Sequence, residues 1–489
     1  MSCEKQRGKR RRSIYIMKEA KSGVNWIPFF ISLAVGVAIW FCPIPSGVDE
    51  KAWHLFAIFV ATIIGFITKP LPMGAVSFIA MAMIAITNTL TIEETLSGFG
   101  NSTIWLIVIA FFISRGFIKT GLGERIAYVF VRLFGKKTLS LSYSLLASDL
   151  ILAPAIPSNT ARAGGVIFPI IQSLSHTFGS KPEDGTERKM GSFLLKVGFQ
   201  GNLITSAMFM TAMAANPLIV KLASDSAGVT ITWFGWALAM IVPGLTALIV
   251  VPYVIYKIYP PEIKETPEAA DIAKKKLEEF GPLKSSEKRM IVVFVVVLSL
   301  WIGGDYLGIS ATTAALIGLS LLLLLNVLTW ADIKKEEGAW DTLVWFATLF
   351  MMASFMNKLG LIPWFSNEVG GLVSGYSWIW AVVILALVYF YSHYFFASST
   401  AHISAMYAAF LSVMLQAGAP AMLAAILLAA FSNLFGATTH YGSGPAPVFF
   451  GAGYIDQKRW WTVGFVVSVV TILIFVVVGG LWWKLLGYW

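Results

Sequence analysis

The stretch Ile156-Pro157-Ser158-Asn159-Thr160-Ala161-Arg162 decides the fold that we predict, because Ala397-Ser398-Ser399-Thr400-Ala401-His402 repeats its pattern. Each copy places serine, threonine and a basic residue inside a long apolar region. Polar groups in such surroundings are costly unless they meet a polar partner. One such triplet is explained equally well by helix packing or by bonds to its own backbone. Two matching copies favour a ligand-binding role for both stretches, which are called the first tip and the second tip.

Composition places the chain among membrane proteins. Of its 489 residues, 57% are hydrophobic and 13% are charged. Apolar runs of about 20 residues, the length that crosses a bilayer, recur along it. The net charge of +10 comes from basic residues between these runs, which is typical of topology signals and argues against nucleic acid as a partner. The two cysteines, Cys3 and Cys42, lack the spacing of a disulfide framework or a metal site, so no metal or cofactor is expected.

The apolar runs predict an all-α polytopic membrane protein with about 11 transmembrane helices. Two further regions are too long for one crossing and are interrupted by residues that do not continue a helix. Each of these regions is predicted to be a re-entrant hairpin. A separate broken helix is predicted to follow each hairpin. The predicted segments are an N-terminus and first helix over 1-51, repeat 1 over 52-258 with an interfacial helix at 123-135, hairpin 138-179 and broken helix 191-223, a hydrophilic linker over 259-288, and repeat 2 over 289-489 with hairpin 377-418, broken helix 420-455 and last helix 460-482.

The second half of the chain repeats the first in the opposite orientation. Phe111 aligns with Phe350, and Gly121 with Gly360, at the same separation of 239 residues. An odd number of predicted crossings lies between the equivalent helices, which inverts the second copy. Lysine and arginine concentrate in the loops that this arrangement places on one side. We therefore expect an integral protein of a bacterial plasma membrane, surrounded by its lipid, with the N-terminus in the cytoplasm and the C-terminus outside.

An inverted repeat with broken helices places the binding site near the middle of the membrane, where the tips and the breaks meet. Helix ends at this depth present backbone N–H groups and positive dipole ends, which favour an anion. Arg162 and His402 indicate the same sign of ligand. The candidate substrate-binding residues are Ser158, Asn159, Thr160, Ser398, Ser399, Thr400, Thr211, Thr439, Gly442 and Ser443.

These motifs resemble the divalent anion:sodium symporter family. The resemblance rests on the two tips, on Ala215-Asn216-Pro217 and on His440-Tyr441-Gly442-Ser443-Gly444-Pro445-Ala446-Pro447. The phrase Ser158-Asn159-Thr160-Ala161-Arg162-Ala163-Gly164-Gly165 looks closer to the exchanger branch, which includes citrate:succinate antiporters and plastid 2-oxoglutarate:malate translocators. The resemblance runs from residue 24 to the end of the chain. It implies a homodimer of scaffold and transport domains, a di- or tricarboxylate substrate, and an elevator-like movement.

The departures from the family pattern concern charge. Sodium-coupled relatives carry Ser-Asn-Thr at both tips, which also help to build sodium sites, whereas the second tip here has Ser399 in place of asparagine. We predict that Arg162 and His402 compensate the substrate charge in the role of sodium. The simpler alternatives are an arginine that reaches the membrane interface and a histidine that only contacts neighbouring helices.

The leading functional hypothesis is a sodium-independent exchanger of dicarboxylates such as 2-oxoglutarate, malate and succinate. A sodium-coupled dicarboxylate symporter is the alternative. An intramembrane enzyme is disfavoured, because the sequence has no Gly-x-Gly-Asp motif, no His-Glu-x-x-His motif and no paired acids within the predicted spans.

Overall fold

The computed structural model describes residues 23–373 and 377–489. Within these ranges the secondary structure is helical, apart from one isolated bridge between Lys137 and Glu265. The predicted all-α fold is therefore confirmed. The part of the predicted N-terminal segment over residues 1–22 lies outside the described residues.

The first half of the chain contains the series of helices that the second half repeats, beginning with a long helix at Ser102, and the four helices that precede this series. Asn101 begins the long helix of this repeat, because its side chain accepts a hydrogen bond from the Thr103 N–H at 2.9 Å. Gly121, with φ +75°, ends the same helix. The helices are α1 (Trp26–Trp40), α2 (Glu50–Thr68), α3 (Met73–Ile86), α4 (Ile92–Leu96), α5 (Ser102–Thr120), α6 (Leu122–Phe134), α7 (Thr138–Leu152), α8 (Asn159–Arg162), a π-helical turn (Ala163–Ile167), α9 (Phe168–Thr177), α10 (Gly191–Met208), α11 (Asn216–Ala227) and α12 (Trp233–Ile258).

The second half contains the linker helix, two further long helices and the second repeat. Its helices are α13 (Pro267–Phe280), α14 (Ser285–Leu307), α15 (Ala311–Leu324), α16 (Trp330–Lys334), α17 (Glu337–Lys358), α18 (Leu361–Val373), α19 (Trp378–Tyr391), α20 (Ser399–Gln416), α21 (Ala421–Leu434), α22 (Ala446–Gly451), α23 (Gln457–Leu473), a π-helical segment (Ile474–Gly479) and α24 (Gly480–Leu485).

Helix length and composition agree with a membrane location. Eight helical segments of the described chain are long and apolar enough to cross a bilayer, and four shorter apolar helices accompany them. The eight include the first arm of each hairpin, over 138–155 and 378–395, so length alone does not separate a hairpin arm from a crossing. If both arms of a hairpin cross or neither does, the number of crossings keeps its parity, and the inversion of the second copy remains a prediction.

The order of elements is the same in the two repeats. A long helix (α5 or α17) is followed by a shorter one (α6 or α18), a hairpin (α7 to α9, or α19 and α20), a broken helix (α10 and α11, or α21 and α22) and a closing helix (α12 or α23). The predicted boundaries differ in detail at two places. The first broken helix continues to Ala227, and the last helix begins at Gln457 and extends through the π-helical segment to Leu485.

The linker between the repeats is more ordered than its hydrophilic sequence indicates. It contains α13, which packs against α6 through buried Ala269 and Ala273. The Arg125 guanidinium of α6 bonds to the Glu287 carboxylate at 2.6 Å and to the Gly281 carbonyl at 2.9 Å. The predicted linker thus docks on the predicted interfacial helix.

A second polar contact ties α5 to the segment before the second repeat. Lys119 Nζ donates to Asp332 Oδ2 at 2.7 Å. The hydrogen bonds from Lys119 and from the Thr329 hydroxyl hold the pKa of the Asp332 carboxyl well below its usual value. Asp332 is therefore ionised in the first turn of α16, where it forms the capping box with Thr329.

The helices pack in two groups. The long-helix group comprises α1, α2, α3, α5, α14, α15 and α17, and the hairpin group comprises α7, α9, α10, α12 and α19 to α23. Helix α11 lies between them, because it packs against α5 and α17 on one side and against α20 and α21 on the other. The tips and breaks belong to the hairpin group.

Candidate substrate site

Both predicted tips are helix N-termini capped by serine. Ser158 Oγ accepts from the Ala161 N–H at 3.1 Å, and Ser398 Oγ accepts from the Ala401 N–H at 3.3 Å. A serine that caps a helix in this way keeps its own O–H free to donate. Each tip therefore combines a hydroxyl donor with the positive end of a helix, as an anion requires.

The interruption of each broken helix is called its break, and it covers residues 209–215 in the first repeat and residues 435–445 in the second. The second break contacts both tips. Ser399 Oγ donates to the Gly442 carbonyl oxygen at 3.1 Å. On the other side, a Cβ atom added to Gly444 would lie 2.1 Å from Thr160 Oγ1, so only glycine allows this approach. The structure thus brings Thr160, Ser399 and Gly442 together.

Several buried oxygens near the second break have no hydrogen-bond partner among the described residues. They are Asn433 Oδ1, Thr439 Oγ1 and Ser443 Oγ, with Asn202 Oδ1 on the other broken helix. A buried polar atom without a partner is unfavourable and calls for an explanation such as an unseen ligand or water. Thr439 and Ser443 were predicted site residues, whereas Asn202 and Asn433 were not.

An amide pair links the two breaks. Asn433 Nδ2 donates to Asn216 Oδ1 at 2.8 Å, and Asn216 Nδ2 donates to the carbonyl oxygens of Ser206 at 2.9 Å and Phe209 at 3.0 Å. All three side-chain bonds are buried or nearly so. The broken helix of each repeat is therefore held to that of the other at the level of the interruptions.

Thr211 is not presented to these groups. Its hydroxyl donates to the Pro154 carbonyl oxygen at 2.7 Å and accepts from Trp233 Nε1 at 3.1 Å. These bonds use its one donor and tie the first break to α12 and to the start of the first tip. The Thr211 hydroxyl thus ties the start of the first tip to α12 and has no hydrogen left to donate to a ligand.

Arg162 lies buried behind the first tip and is paired with an acid. Its Nε is 2.8 Å from Asp149 Oδ1, and the two side chains are 0% and 1% exposed. Asp149 also accepts from Asn202 Nδ2 and from the Thr205 hydroxyl. The other guanidinium N–H groups donate to Ile156 O, Ala212 O, Asn202 O, Thr205 Oγ1 and Ser206 Oγ. Arg162 therefore joins the first tip to the first break.

This pairing corrects the expectation that Arg162 is an unpaired cation available to the substrate. Its charge is offset by Asp149, and its N–H groups are occupied by the protein. The sequence contained a signal for the pair, because Asp149 is the sole acid and Arg162 the sole lysine or arginine between residues 138 and 179. Arg162 is also fully buried, which is the opposite of an arginine reaching the membrane interface.

His402 differs from Arg162, because no carboxylate contacts it among the described residues. It is 0% exposed and lies between the rings of Phe396 and Phe435, with centroid distances of 4.5 and 4.6 Å. Its Nδ1 is 2.9 Å from His393 Nδ1, a partner that the sequence analysis missed. His402 thus has no counter-charge within residues 23–373 and 377–489.

Lys196 is a second buried base that the sequence analysis passed over. Its Nζ donates to the Trp460 carbonyl oxygen at 3.1 Å and lies 4.0 Å from the centroid of the Trp460 ring. In the described part of the chain it has no salt bridge. Together with His402 it makes the hairpin group rich in basic groups that lack acidic partners.

Paired hairpins and broken helices that meet at a polar loop are typical of secondary transporters. The family described as the sodium:sulfate symporter transmembrane region matches residues 23–489, and the chain belongs to this family. The family resemblance stated from the motifs is thereby confirmed.

Several named proteins are similar to this chain over nearly its whole length. YflS of Bacillus subtilis, a proposed malate transporter, is 68% identical over 100% of both chains. The chloroplastic dicarboxylate transporter 1 of Spinacia oleracea is 52% identical over 96% of this chain and 82% of that protein. The inner membrane protein YbhI of Escherichia coli is 41% identical over 94% of this chain and 97% of its own length.

A solved structure supports the fold. The YdaH transporter of Alcanivorax borkumensis superposes with a TM-score of 0.54, covering 94% of this chain and 96% of that one, at 10% sequence identity. At this identity the likeness concerns the fold alone.

Proposed function

We propose that this protein exchanges dicarboxylates of the malate, succinate and 2-oxoglutarate type across a bacterial plasma membrane, independently of sodium. The names of its relatives support the substrate class, since they include malate and dicarboxylate transporters. The observation that carries the proposal is the convergence of two capped helix N-termini on one break through Thr160 and Ser399. Counterflow of labelled malate in proteoliposomes tests it.

In this proposal the two carboxylates of the substrate bind at the two tips, one at each. Ser158, Asn159 and Thr160 serve the first carboxylate, while Ser398, Ser399 and Thr400 serve the second. Thr439, Gly442 and Ser443 of the second break lie between the tips and contribute hydroxyl or backbone groups. Thr211 and Arg162 support the first tip without touching the substrate.

The proposed movement is that of an elevator within a homodimer. The hairpin group carries the substrate across the membrane, while the long-helix group stays in place and supplies the contact between subunits. Most helix-to-helix contacts lie within one group or the other, which supports this division. Citrate and other tricarboxylates are further candidate substrates.

Charge is the reason for proposing exchange rather than sodium symport. A dianion in an apolar cavity needs positive charge nearby, and His402, at a pH low enough to keep it protonated in the empty site, supplies charge that does not leave with the substrate. Without a dianion, this buried charge is uncompensated, and movement of the empty hairpin group is unfavourable. A sodium-coupled symporter is the alternative, in which mobile cations would accompany the substrate. An enzyme is not proposed, because the family and its named relatives are transporters.

The threonines of the tips are expected to contribute directly to substrate binding. Loss of one hydrogen bond to a charged group costs about 1.5 to 3 kcal/mol, so Thr160→Ala or Thr400→Ala should each weaken malate binding about tenfold or more. Thr177→Ala is the matched control, because the Thr177 hydroxyl is exposed and bonds only to the Ser173 carbonyl of its own helix. Wild-type affinity in both tip variants would reduce the tips to packing elements.

The orientation of the chain is expected to place the loop after the first hairpin in the cytoplasm. In a background with Cys3 and Cys42 replaced by serine, Asp184→Cys should react with an impermeant maleimide only in everted vesicles. Thr230→Cys, between α11 and α12, should react only in intact cells. Both positions are exposed, and Asp271→Cys in the linker is the control for the cytoplasmic side. Labelling of Asp184→Cys and Thr230→Cys from one side would contradict this topology.

A further inference from the structure

Two buried histidines contact each other beside the second tip. His393 follows the first arm of the hairpin, and His402 lies in the first turn of α20. Their Nδ1 atoms are 2.9 Å apart, and both side chains are 0% exposed. The proposed function assigns a charge to His402 but leaves this contact unexplained.

The hydrogen-bond geometry limits how many protons the pair holds. His393 Nε2 is 2.6 Å from the Gly442 carbonyl oxygen, and since a carbonyl only accepts, Nε2 carries a hydrogen. The contact between the two Nδ1 atoms needs one donor and one acceptor. Two charged imidazoles would point N–H groups at each other, so the pair holds at most one proton beyond its neutral form.

That extra proton has a defined place. His402 Nε2 is 3.3 Å from Ser392 Oγ, and the Ser392 hydroxyl donates to the Tyr389 carbonyl oxygen at 2.9 Å. Ser392 Oγ therefore accepts from His402 Nε2 when that nitrogen carries a hydrogen. With one added proton, every contact from the Tyr389 carbonyl through both rings to the Gly442 carbonyl has a donor and an acceptor. The neutral pair leaves His402 Nε2 without a hydrogen to donate.

The surroundings supply aromatic rings but no negative charge. Phe435 stacks on both imidazoles, with centroid distances of 3.8 and 4.6 Å, and the Tyr389 ring lies 4.8 Å from that of His402. Aromatic faces favour a cation, yet a buried cation without an anion remains costly. A dianion bound at the second break, near Gly442, would offset this cost.

No other titratable group besides Tyr389 contacts either ring among the described residues. Lys221 and Asp225 form an ion pair with each other. The other titratable side chains nearby do not contact either histidine. The titratable side chains on the helices packed against α20 and on the second break are Glu50, Lys51, His54, Lys221, Asp225, Glu337, Asp341, Lys358, Glu368, Tyr389, Tyr391, Tyr394, Tyr407, His440 and Tyr441.

We propose that His393 and His402 form a site for one proton, which binds together with the dicarboxylate. This inference rests on the proposed function. The proton comes from water, adds to a ring nitrogen of the pair and, at a pH where the empty site does not retain it, returns to water when the substrate leaves, so that no group is oxidised or reduced. Since linkage is reciprocal, a substrate that strengthens proton binding is itself bound more tightly as the pH falls.

Calorimetry of the full-length purified protein tests the proposal. Malate is titrated at several pH values, each in two buffers of different ionisation enthalpy, and the difference in heat gives the protons taken up. Uptake should rise with pH toward one proton per protomer and never exceed it, and malate affinity should fall over the same range. Uptake above one proton, or none at any pH, overturns the inference.

A double variant locates the proton. His393→Gln with His402→Gln keeps amide groups near the same partners but cannot take up a proton, so uptake should vanish and the affinity should no longer depend on pH. His176→Gln, an exposed histidine in the first hairpin, should behave as wild type. Uptake that persists in the double variant overturns the inference, and the wild-type stoichiometry still decides if that variant does not fold.

Failure of this inference is distinct from failure of the proposed function. A protein that binds and exchanges malate without any linked proton contradicts the histidine site alone. A folded wild-type protein that binds no dicarboxylate at any pH contradicts the proposed function.

Discussion

Asp149→Asn is expected to abolish transport and to lower the thermal stability of the purified protein. Removing the carboxylate leaves the Arg162 guanidinium charged and buried without its counter-ion. Breaking a buried ion pair from one side typically costs about 3 to 5 kcal/mol. The loss should be visible as a lower Tm in detergent and as absence of malate counterflow. Because Arg162 also holds the Ile156 and Ala212 carbonyls, the first tip would lose its position relative to the first break.

The double variant Asp149→Asn with Arg162→Gln separates charge from packing. It removes both charges, so its Tm should lie above that of Asp149→Asn alone, even though the bonds to the two carbonyls are weakened. Lys276→Gln is the control, since it removes an exposed ion pair with Glu279 and should leave the Tm and the counterflow unchanged. A single variant as stable and active as wild type would contradict the assigned role of the pair.

Proteoliposomes that contain no dicarboxylate are expected to take up almost no labelled malate at acidic pH, with or without a sodium gradient. Preloading them with unlabelled malate should restore uptake. The reason is that a protonated His402 has no carboxylate partner in the described chain, so the empty hairpin group would carry an uncompensated charge through the apolar barrier.

The variant His402→Asn tests the origin of this coupling. It should bind malate more weakly, because a positive charge is lost, and it should take up some malate into empty liposomes, because the empty hairpin group is then uncharged. Raising the pH on the wild type should act in the same direction, with exchange activity falling as the proton is lost. Strong net uptake driven by a sodium gradient into empty liposomes would instead support the symporter.

Much of the fold was accessible from the sequence because apolar length and interruption are local properties. The hairpins predicted at 138-179 and 377-418 agree with helices that run from Thr138 to Thr177 and from Trp378 to Gln416 around their tips. Prolines and glycines mark the breaks, and basic residues mark the loops. The repeat could be read from equal separations between matching residues.

The partners of the basic residues were less accessible, because they depend on tertiary contacts. Asp149 lies in the hairpin arm before Arg162, and only folding around the tip brings the two together. His393 was passed over for a similar reason, since nothing in its immediate sequence indicates a contact with His402. The position of Thr211 against Pro154 and Trp233 also depends on how α12 packs.

The linker is a case in which the composition of the sequence conceals a buried surface. Its lysines and glutamates indicate exposure to water, and this conceals two buried alanines one turn apart on α13. A short apolar stripe on a charged helix becomes recognisable only when the surface that it covers, here α6, is known.

The bond between Asn433 and Asn216 bears on how the two copies have evolved. Each copy supplies one amide to a contact that neither can form alone, so the two halves depend on each other at this point. Asn433 can make this bond only while the side chain at position 216 offers an acceptor. Among relatives, changes at Asn216 and Asn433 should therefore occur together. Ancestral sequence reconstruction should show both positions changing at the same step.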